Sequence, residues 1–151
     1  MENQDKVILL VEDSEDDVFL MKRAFKAAGI TNPLFVVNDG EAAVDYLSGK
    51  GPFANRDEYP YPSLIFLDLK LPYLTGFDVL EWHQKQDGLP EAIFIVISSS
   101  NQPTDLNRAY RLGASSYVVK PPTAEQLIDI AKAFRIYWLS CNAFPVPAVT
   151  E

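Results

Sequence analysis

The sequence predicts an α/β domain in which five βα units form a doubly wound parallel sheet with helices on both faces. The first observation is a set of five short apolar runs at residues 7–11, 34–37, 64–67, 93–97 and 117–119, of which 34–37 is the weakest. Continuous apolar runs are typical of parallel strands that are buried on both faces. The second observation is that a segment of helical periodicity follows each run, which is the pattern of alternating strands and helices.

The helical segments are expected at residues 15–28, 41–47, 77–86, 104–112 and 123–139. Ser14, followed three residues later by Asp17, resembles a capping box at the start of the first helix, and Gly29 is expected to end that helix. Five such units in about 130 residues match the flavodoxin-like doubly wound fold, whose ligands bind beyond the carboxyl ends of the strands.

The composition indicates an acidic globular chain. Its 151 residues contain 13 Lys+Arg and 21 Asp+Glu, for a net charge of −8, and 48% of them are hydrophobic. The negative charge argues against electrostatic binding to nucleic acid or to an anionic membrane. The single cysteine cannot form an internal disulfide, no signal-peptide pattern is present, and no apolar run is long enough to cross a bilayer. We expect a cytoplasmic protein with one domain over residues 1–140, a flexible tail over 141–151 and no output domain.

The segment 48–62 is long for a connection between a helix and a strand, so we expect it to be either functional or mobile. Its aromatic residues Phe53, Tyr59 and Tyr61 could bind a partner or hold the segment against the domain. His83, on the predicted third helix, is expected to face the solvent.

Polar residues follow four of the predicted strands directly. Glu12 and Asp13 follow the first strand, and the others are Asp68, Ser98 and Lys120. Because parallel strands share one carboxyl edge, these five side chains are expected to lie together.

Three carboxylates at one edge repel one another unless a proton or a cation joins them. Mg²⁺ prefers hard oxygen ligands, and it can neutralise two carboxylates while the third attacks phosphorus. Lys120 and Ser98 could then bind the remaining phosphoryl oxygens. The set indicates an aspartyl-phosphate site. A single carboxylate at a strand end is more often a helix cap or a solvated loop residue, so the argument depends on the coincidence of all five.

The motifs of this set resemble those of the bacterial response-regulator receiver domain. They are Val11-Glu12-Asp13, the run Leu67-Asp68-Leu69-Lys70-Leu71-Pro72 with Gly76, then Ser98, Gly113-Ala114, and Tyr117-Val118-Val119-Lys120-Pro121. The resemblance covers roughly residues 5 to 140.

The resemblance implies a role for each site residue. Asp68 would be the phosphoacceptor for a sensor histidine kinase, with Lys120 contacting the phosphoryl group. Glu12, Asp13, Asp68 and the backbone carbonyl of Lys70 would bind Mg²⁺. Ser98 and Tyr117 would be the switch residues. The Lys120–Pro121 bond would be cis. The chain would be a signalling phosphoprotein and not an enzyme acting on external substrates.

A narrower resemblance is to the stand-alone regulators that pair with bacterial phytochromes, and it implies a dimer formed through the fourth helix, fifth strand and fifth helix. Residues of the fifth helix without evident burial within the domain agree with such an interface, although they could instead cover the sheet edge or the long loop. They are Ile128, Ile136, Tyr137 and Leu139.

Three other classes of protein remain to be weighed. A flavodoxin-type electron carrier would place an FMN phosphate where Glu12 and Asp13 repel it. A haloacid-dehalogenase-type phosphatase would need an aspartate where Lys70 stands. A pseudo-receiver that acts only as a binding module is the main alternative, but such modules usually lack a member of the site.

Overall fold

The computed structural model describes residues 3–146, and it confirms the predicted α/β fold. Five strands alternate with five helices. The strands are β1 (Ile8–Val11), β2 (Leu34–Val37), β3 (Leu64–Leu67), β4 (Ile93–Ser98) and β5 (Ser116–Val119). The helices are α1 (Glu15–Ala27), α2 (Gly40–Ser48), α3 (Gly76–Gln84), α4 (Pro103–Arg111) and α5 (Ala124–Ile136). Among residues 3–146, none of the helices combines the length and the apolar character that crossing a membrane requires.

The sheet is parallel throughout and has the strand order β2-β1-β3-β4-β5. The order reverses between β1 and β3, which are paired from Ile8 opposite Leu64 to Val11 opposite Leu67. In doubly wound folds the ligand site lies at this reversal, beyond the carboxyl ends of the strands.

Alternate residues of β1 pack into two separate cores. Leu9 and Val11 contact the side covered by α2, α3 and α4, whereas Ile8 and Leu10 contact the side covered by α1 and α5. All four side chains are buried, because a strand between two helix layers has no solvent-facing side.

The predicted capping box at α1 forms only in part. The Ser14 hydroxyl accepts a hydrogen bond from the Asp17 amide at 3.2 Å, but the Asp17 carboxylate forms an ion pair with Lys120. A complete capping box instead begins α3, where Thr75 and Asp78 bond each other's backbone and side chain.

The fifth helix is shorter than predicted. It ends at Ile136, and a π-helical turn over Tyr137–Cys141 follows. Ile136 and Tyr137 are exposed as expected, but Leu139 is buried and Ile128 is partly buried against the same core, which corrects the prediction for these two. The turn directs Leu139 into the core, where its carbonyl accepts a hydrogen bond from the Asn3 amide at 2.7 Å. Of the predicted tail, residues 147–151 lie outside the described residues.

The segment 48–62 is held against α2. The Arg56 guanidinium donates hydrogen bonds to the Leu47 carbonyl at 3.0 Å and to the Tyr59 carbonyl at 3.2 Å. The Tyr46 hydroxyl donates to the Pro60 carbonyl at 2.8 Å, and its ring packs against Phe53 and Tyr59. The aromatic residues of this segment were expected either to bind a partner or to hold the segment against the domain. In the structure they contact the domain.

His83 is half-buried, so the prediction that it faces the solvent is wrong. Its ring lies 4.9 Å from that of Phe94, and its Nε2 lies 3.3 Å from the Tyr61 hydroxyl, because the end of the long loop covers this side of α3. Burial lowers the pKa of His83, against the opposing charge of Glu91.

We predict that Arg56→Ala lowers the free energy of unfolding by about 1–2 kcal/mol, because two carbonyl groups lose a charged donor. Urea denaturation would measure the loss. Lys50→Ala, which removes an exposed cation at the start of the same loop, is the matched control and is expected to be nearly neutral. Equal stability of the two variants would contradict the proposed anchoring role.

Candidate functional site

The three predicted metal-ligating carboxylates converge at the reversal of strand order. Glu12 and Asp13 follow β1, and Asp68 follows the paired strand β3. One oxygen from each lies within 4.8 Å of the other two. Oxygens on opposite sides of an octahedral Mg²⁺ are about 4.2 Å apart, so small rotations of these side chains would let them share an ion. The donors are hard oxygens of net negative charge and therefore fit a divalent cation.

Lys120 contacts two of these carboxylates and, in addition, that of Asp17. Its ammonium lies 2.8 Å from Glu12 Oε1, 2.9 Å from Asp17 Oδ2 and 3.0 Å from Asp68 Oδ2. Burial alone would lower the pKa of Lys120, but its hydrogen bonds to the three carboxylates outweigh burial and hold the pKa above its ordinary value.

Glu12 and Asp68 are buried, whereas Asp13 is exposed. Burial raises the pKa of Glu12 to about 7, and the charge of Asp68 acts in the same direction, while the hydrogen bond to Lys120 opposes both. The charged form of Glu12 at neutral pH therefore depends on the cation beside it.

Asp17 was not predicted as a site residue. Its signal in the sequence is its position in the first turn of α1, four residues after Asp13. A spacing of this kind is common among surface acids, so it could not be separated from a solvated helix face before Lys120 was placed.

The backbone lies close to Asp68 at Lys70 and at Gly76, the first residue of α3. The Lys70 amide donates a hydrogen bond to Asp68 Oδ1 at 3.2 Å, while the Lys70 side chain is exposed. Its carbonyl as a metal ligand stays a prediction. A Cβ at Gly76 would lie 2.3 Å from the Asp68 carbonyl oxygen, so only glycine lets α3 begin so near the site.

Ser98 and Tyr117 meet at Ser100. The Ser98 hydroxyl is buried and accepts a hydrogen bond from the Ser100 amide at 3.1 Å. The Tyr117 hydroxyl donates to the Ser100 carbonyl at 2.8 Å. The two predicted switch residues are thus joined through one residue of the loop that follows β4.

One implication of the resemblance is wrong for this structure. All peptide bonds between described residues are trans, including Lys120–Pro121, which was expected to be cis. Trans is the intrinsically favoured isomer of an X–Pro bond.

Comparison with known protein families identifies the family of this chain. The family described as the response regulator receiver domain matches residues 8–132. The chain belongs to the response regulator receiver domain family.

Curated relatives of this receiver domain span most of its length. It is 35% identical over 145 residues to the probable methanogenesis regulatory protein FilR2 of Methanothrix harundinacea, covering 94% of this chain and 89% of FilR2. It is 32% identical over 143 residues to the response regulator Rcp1 of Synechocystis, covering 95% of each chain.

Solved structures of response regulators share the fold. A regulator in red light signalling of R. palustris has a TM-score of 0.88 at 28% identity, covering 94% of this chain and 99% of that one. The phosphorylated cyanobacterial phytochrome response regulator RcpA has a TM-score of 0.85 at 32% identity, with the same coverage. The Mn²⁺-bound form of Rcp1 has a TM-score of 0.82 at 31% identity, covering 93% of this chain and 99% of that one.

We predict that Lys120→Met lowers the free energy of unfolding by about 2–4 kcal/mol without divalent cations, because two buried carboxylates lose their cation. Added Mg²⁺ should restore part of this loss, and urea denaturation with and without Mg²⁺ would measure both effects. The control is Lys85→Met, which breaks the exposed pair between Lys85 and Glu81 and should cost less than about 1 kcal/mol. A Lys120→Met loss as small as that of the control would contradict this prediction.

Proposed function

We propose that this receiver domain accepts a phosphoryl group on Asp68 from a sensor histidine kinase in a Mg²⁺-dependent reaction. The observation that carries the proposal is the convergence of Glu12, Asp13 and Asp68 on one edge with Lys120. The metal ligands would be these three carboxylates and the Lys70 backbone carbonyl. When bound, Mg²⁺ would supply positive charge to the carboxylates and to the phosphoryl oxygens.

In the transfer, one carboxylate oxygen of Asp68 forms a bond to phosphorus while the bond from phosphorus to the donor nitrogen of a phosphohistidine breaks. Asp68 Oδ2 already accepts a hydrogen bond from Lys120, and Oδ1 accepts one from the Lys70 amide. The amide would stabilise negative charge on Asp68, and the ammonium, at the edge of the site when Mg²⁺ is bound, would stabilise the phosphoryl oxygens. The protein contributes positioning and charge, and it turns over no external substrate.

The proposed switch uses the contacts at Ser100. A phosphoryl group adds about −1.5 to −2 charges beside Asp68. In the proposed switch the Ser98 side chain turns to donate to a phosphoryl oxygen and draws the bonded loop at Ser100 with it, and Tyr117 follows because its hydroxyl bonds that loop. The result would be a changed surface formed by α4, β5 and α5, here called the α4–β5–α5 face.

Two of the similar structures support a phytochrome-type kinase as the partner, since one is a regulator in red light signalling and the other is a cyanobacterial phytochrome response regulator. FilR2 is a probable methanogenesis regulatory protein, so the relatives do not point to one common signal.

The α4–β5–α5 face carries the apolar surface expected of a dimer interface. Seven large hydrophobic side chains are exposed among the described residues, and four of them lie on this face or in the turn after α5. These four are Tyr110, Val119, Ile136 and Tyr137. Exposed apolar side chains grouped on one side favour association with a second copy.

We predict that acetyl phosphate with Mg²⁺ adds one phosphoryl group to the wild-type protein and none to Asp68→Asn. Intact-mass spectrometry would measure the addition. Asp57→Asn, which removes an exposed aspartate of the long loop, is the control and should be phosphorylated like the wild type. Phosphorylation of Asp68→Asn would refute the acceptor assignment, and an unmodified wild type would favour the pseudo-receiver alternative.

We predict that the protein dimerises in a concentration-dependent way and that Ile136→Asp weakens the dimer at least tenfold, because a charge would enter an apolar interface. Sedimentation velocity of phosphorylated and unphosphorylated protein would measure the association. Phe19→Asp is the control, since Phe19 is equally exposed on α1. A monomer at all concentrations in both states would exclude the dimer.

A further inference from the structure

Asp17 differs from the other two carboxylates that contact Lys120. Glu12 and Asp68 belong to the group whose oxygens converge as candidate metal ligands, and Asp17 does not. The Asp17 side chain is 40% exposed, whereas those of Glu12 and Asp68 are 4% and 7% exposed. Of the three partners of Lys120, a metal would therefore be coordinated by Glu12 and Asp68 but not by Asp17.

A divalent cation at this site changes the surroundings of Lys120. An ammonium group has three N–H donors, and in this structure three carboxylates accept them. A cation bound by Glu12 and Asp68 competes with the ammonium for the same oxygens and repels it. A partly buried ammonium that lost all its acceptors would be costly, so the cost of cation entry depends on what Lys120 retains.

Asp17 is held where it can be that retained partner. Its amide is fixed by the Ser14 cap in the first turn of α1, and its carboxylate reaches Lys120 at 2.9 Å across the cleft between α1 and the residue that follows β5. A negative charge in the first turn is also favoured by the helix dipole.

We infer that Asp17 is a positioning residue for Lys120. Asp17 keeps the ammonium at the edge of the site when Glu12 and Asp68 bind a divalent cation instead. This inference rests on the proposed Mg²⁺ site. It assigns Asp17 a role in cation affinity, exerted through Lys120 and without contact to the metal.

The test is a Mg²⁺ titration of the full chain followed by amide chemical shifts. Asp17→Asn should weaken Mg²⁺ affinity by about two- to fivefold relative to Asp16→Asn, because the amide cannot hold the ammonium as an ion pair does. Asp16→Asn is the matched control, since Asp16 is the neighbouring exposed aspartate of the same helical turn and its substitution removes the same charge. Urea denaturation would establish that both variants are folded.

A second titration separates the inferred role from a general charge effect. In a Lys120→Met background, Asp17→Asn should weaken affinity no more than Asp16→Asn does, since the ammonium that Asp17 holds is gone. Equal affinities of Asp17→Asn and Asp16→Asn in the wild-type background, or an Asp17→Asn effect that persists without Lys120, would overturn the inference.

These results are distinct from a failure of the proposed function. No Mg²⁺ binding by the wild type would overturn both the metal site and the role of Asp17. Normal Mg²⁺ binding without phosphorylation by acetyl phosphate would refute the phosphoacceptor proposal, and the affinity comparison would still decide the role of Asp17.

Discussion

The carboxyl edge of the sheet depends on the ion pairs that the Lys120 ammonium forms. The ammonium joins the residue after β5 to carboxylates that follow β1 and β3 and to the first turn of α1. Glu12 and Asp68 are buried, and two buried carboxylates beside each other are unstable without a neighbouring cation. The same arrangement makes the edge receptive to a divalent cation, because an incoming ion brings two positive charges to carboxylates that share a single ammonium.

Strand pairing places Ser98, a proposed switch residue, beside Lys120. β4 and β5 are neighbours, and the Lys120 amide donates a hydrogen bond to the Ser98 carbonyl at 2.8 Å. The acceptor strand β3 pairs with β4 on its other side. The carboxyl ends of three adjacent parallel strands therefore supply the proposed acceptor, the hydroxyl and the ammonium, without any contribution from a distant loop.

Strands and strand-end residues could be predicted from the sequence because both depend on local pattern: apolar runs mark buried parallel strands, and the next residue lies at their common edge. Tertiary contacts could not be predicted where no local pattern in the sequence encodes them. Asp17 looks like an ordinary helix-surface acid until Lys120 is placed, His83 is covered by a loop distant in sequence, and Leu139 is buried by a π-helical turn that the helical period does not indicate.

The weakly anchored helix α4 is joined to Ser98 through Ser100. Ala109 is its one buried residue, and its first turn begins without a side-chain cap. Asp105 in that turn accepts a hydrogen bond from the Ser100 hydroxyl at 2.6 Å, and Ser100 also contacts Ser98 and Tyr117. Segments with few buried contacts move at the least free-energy cost. In the proposed switch, a charge added at Asp68 would act through Ser98 and Ser100 on this helix, which a single buried residue anchors.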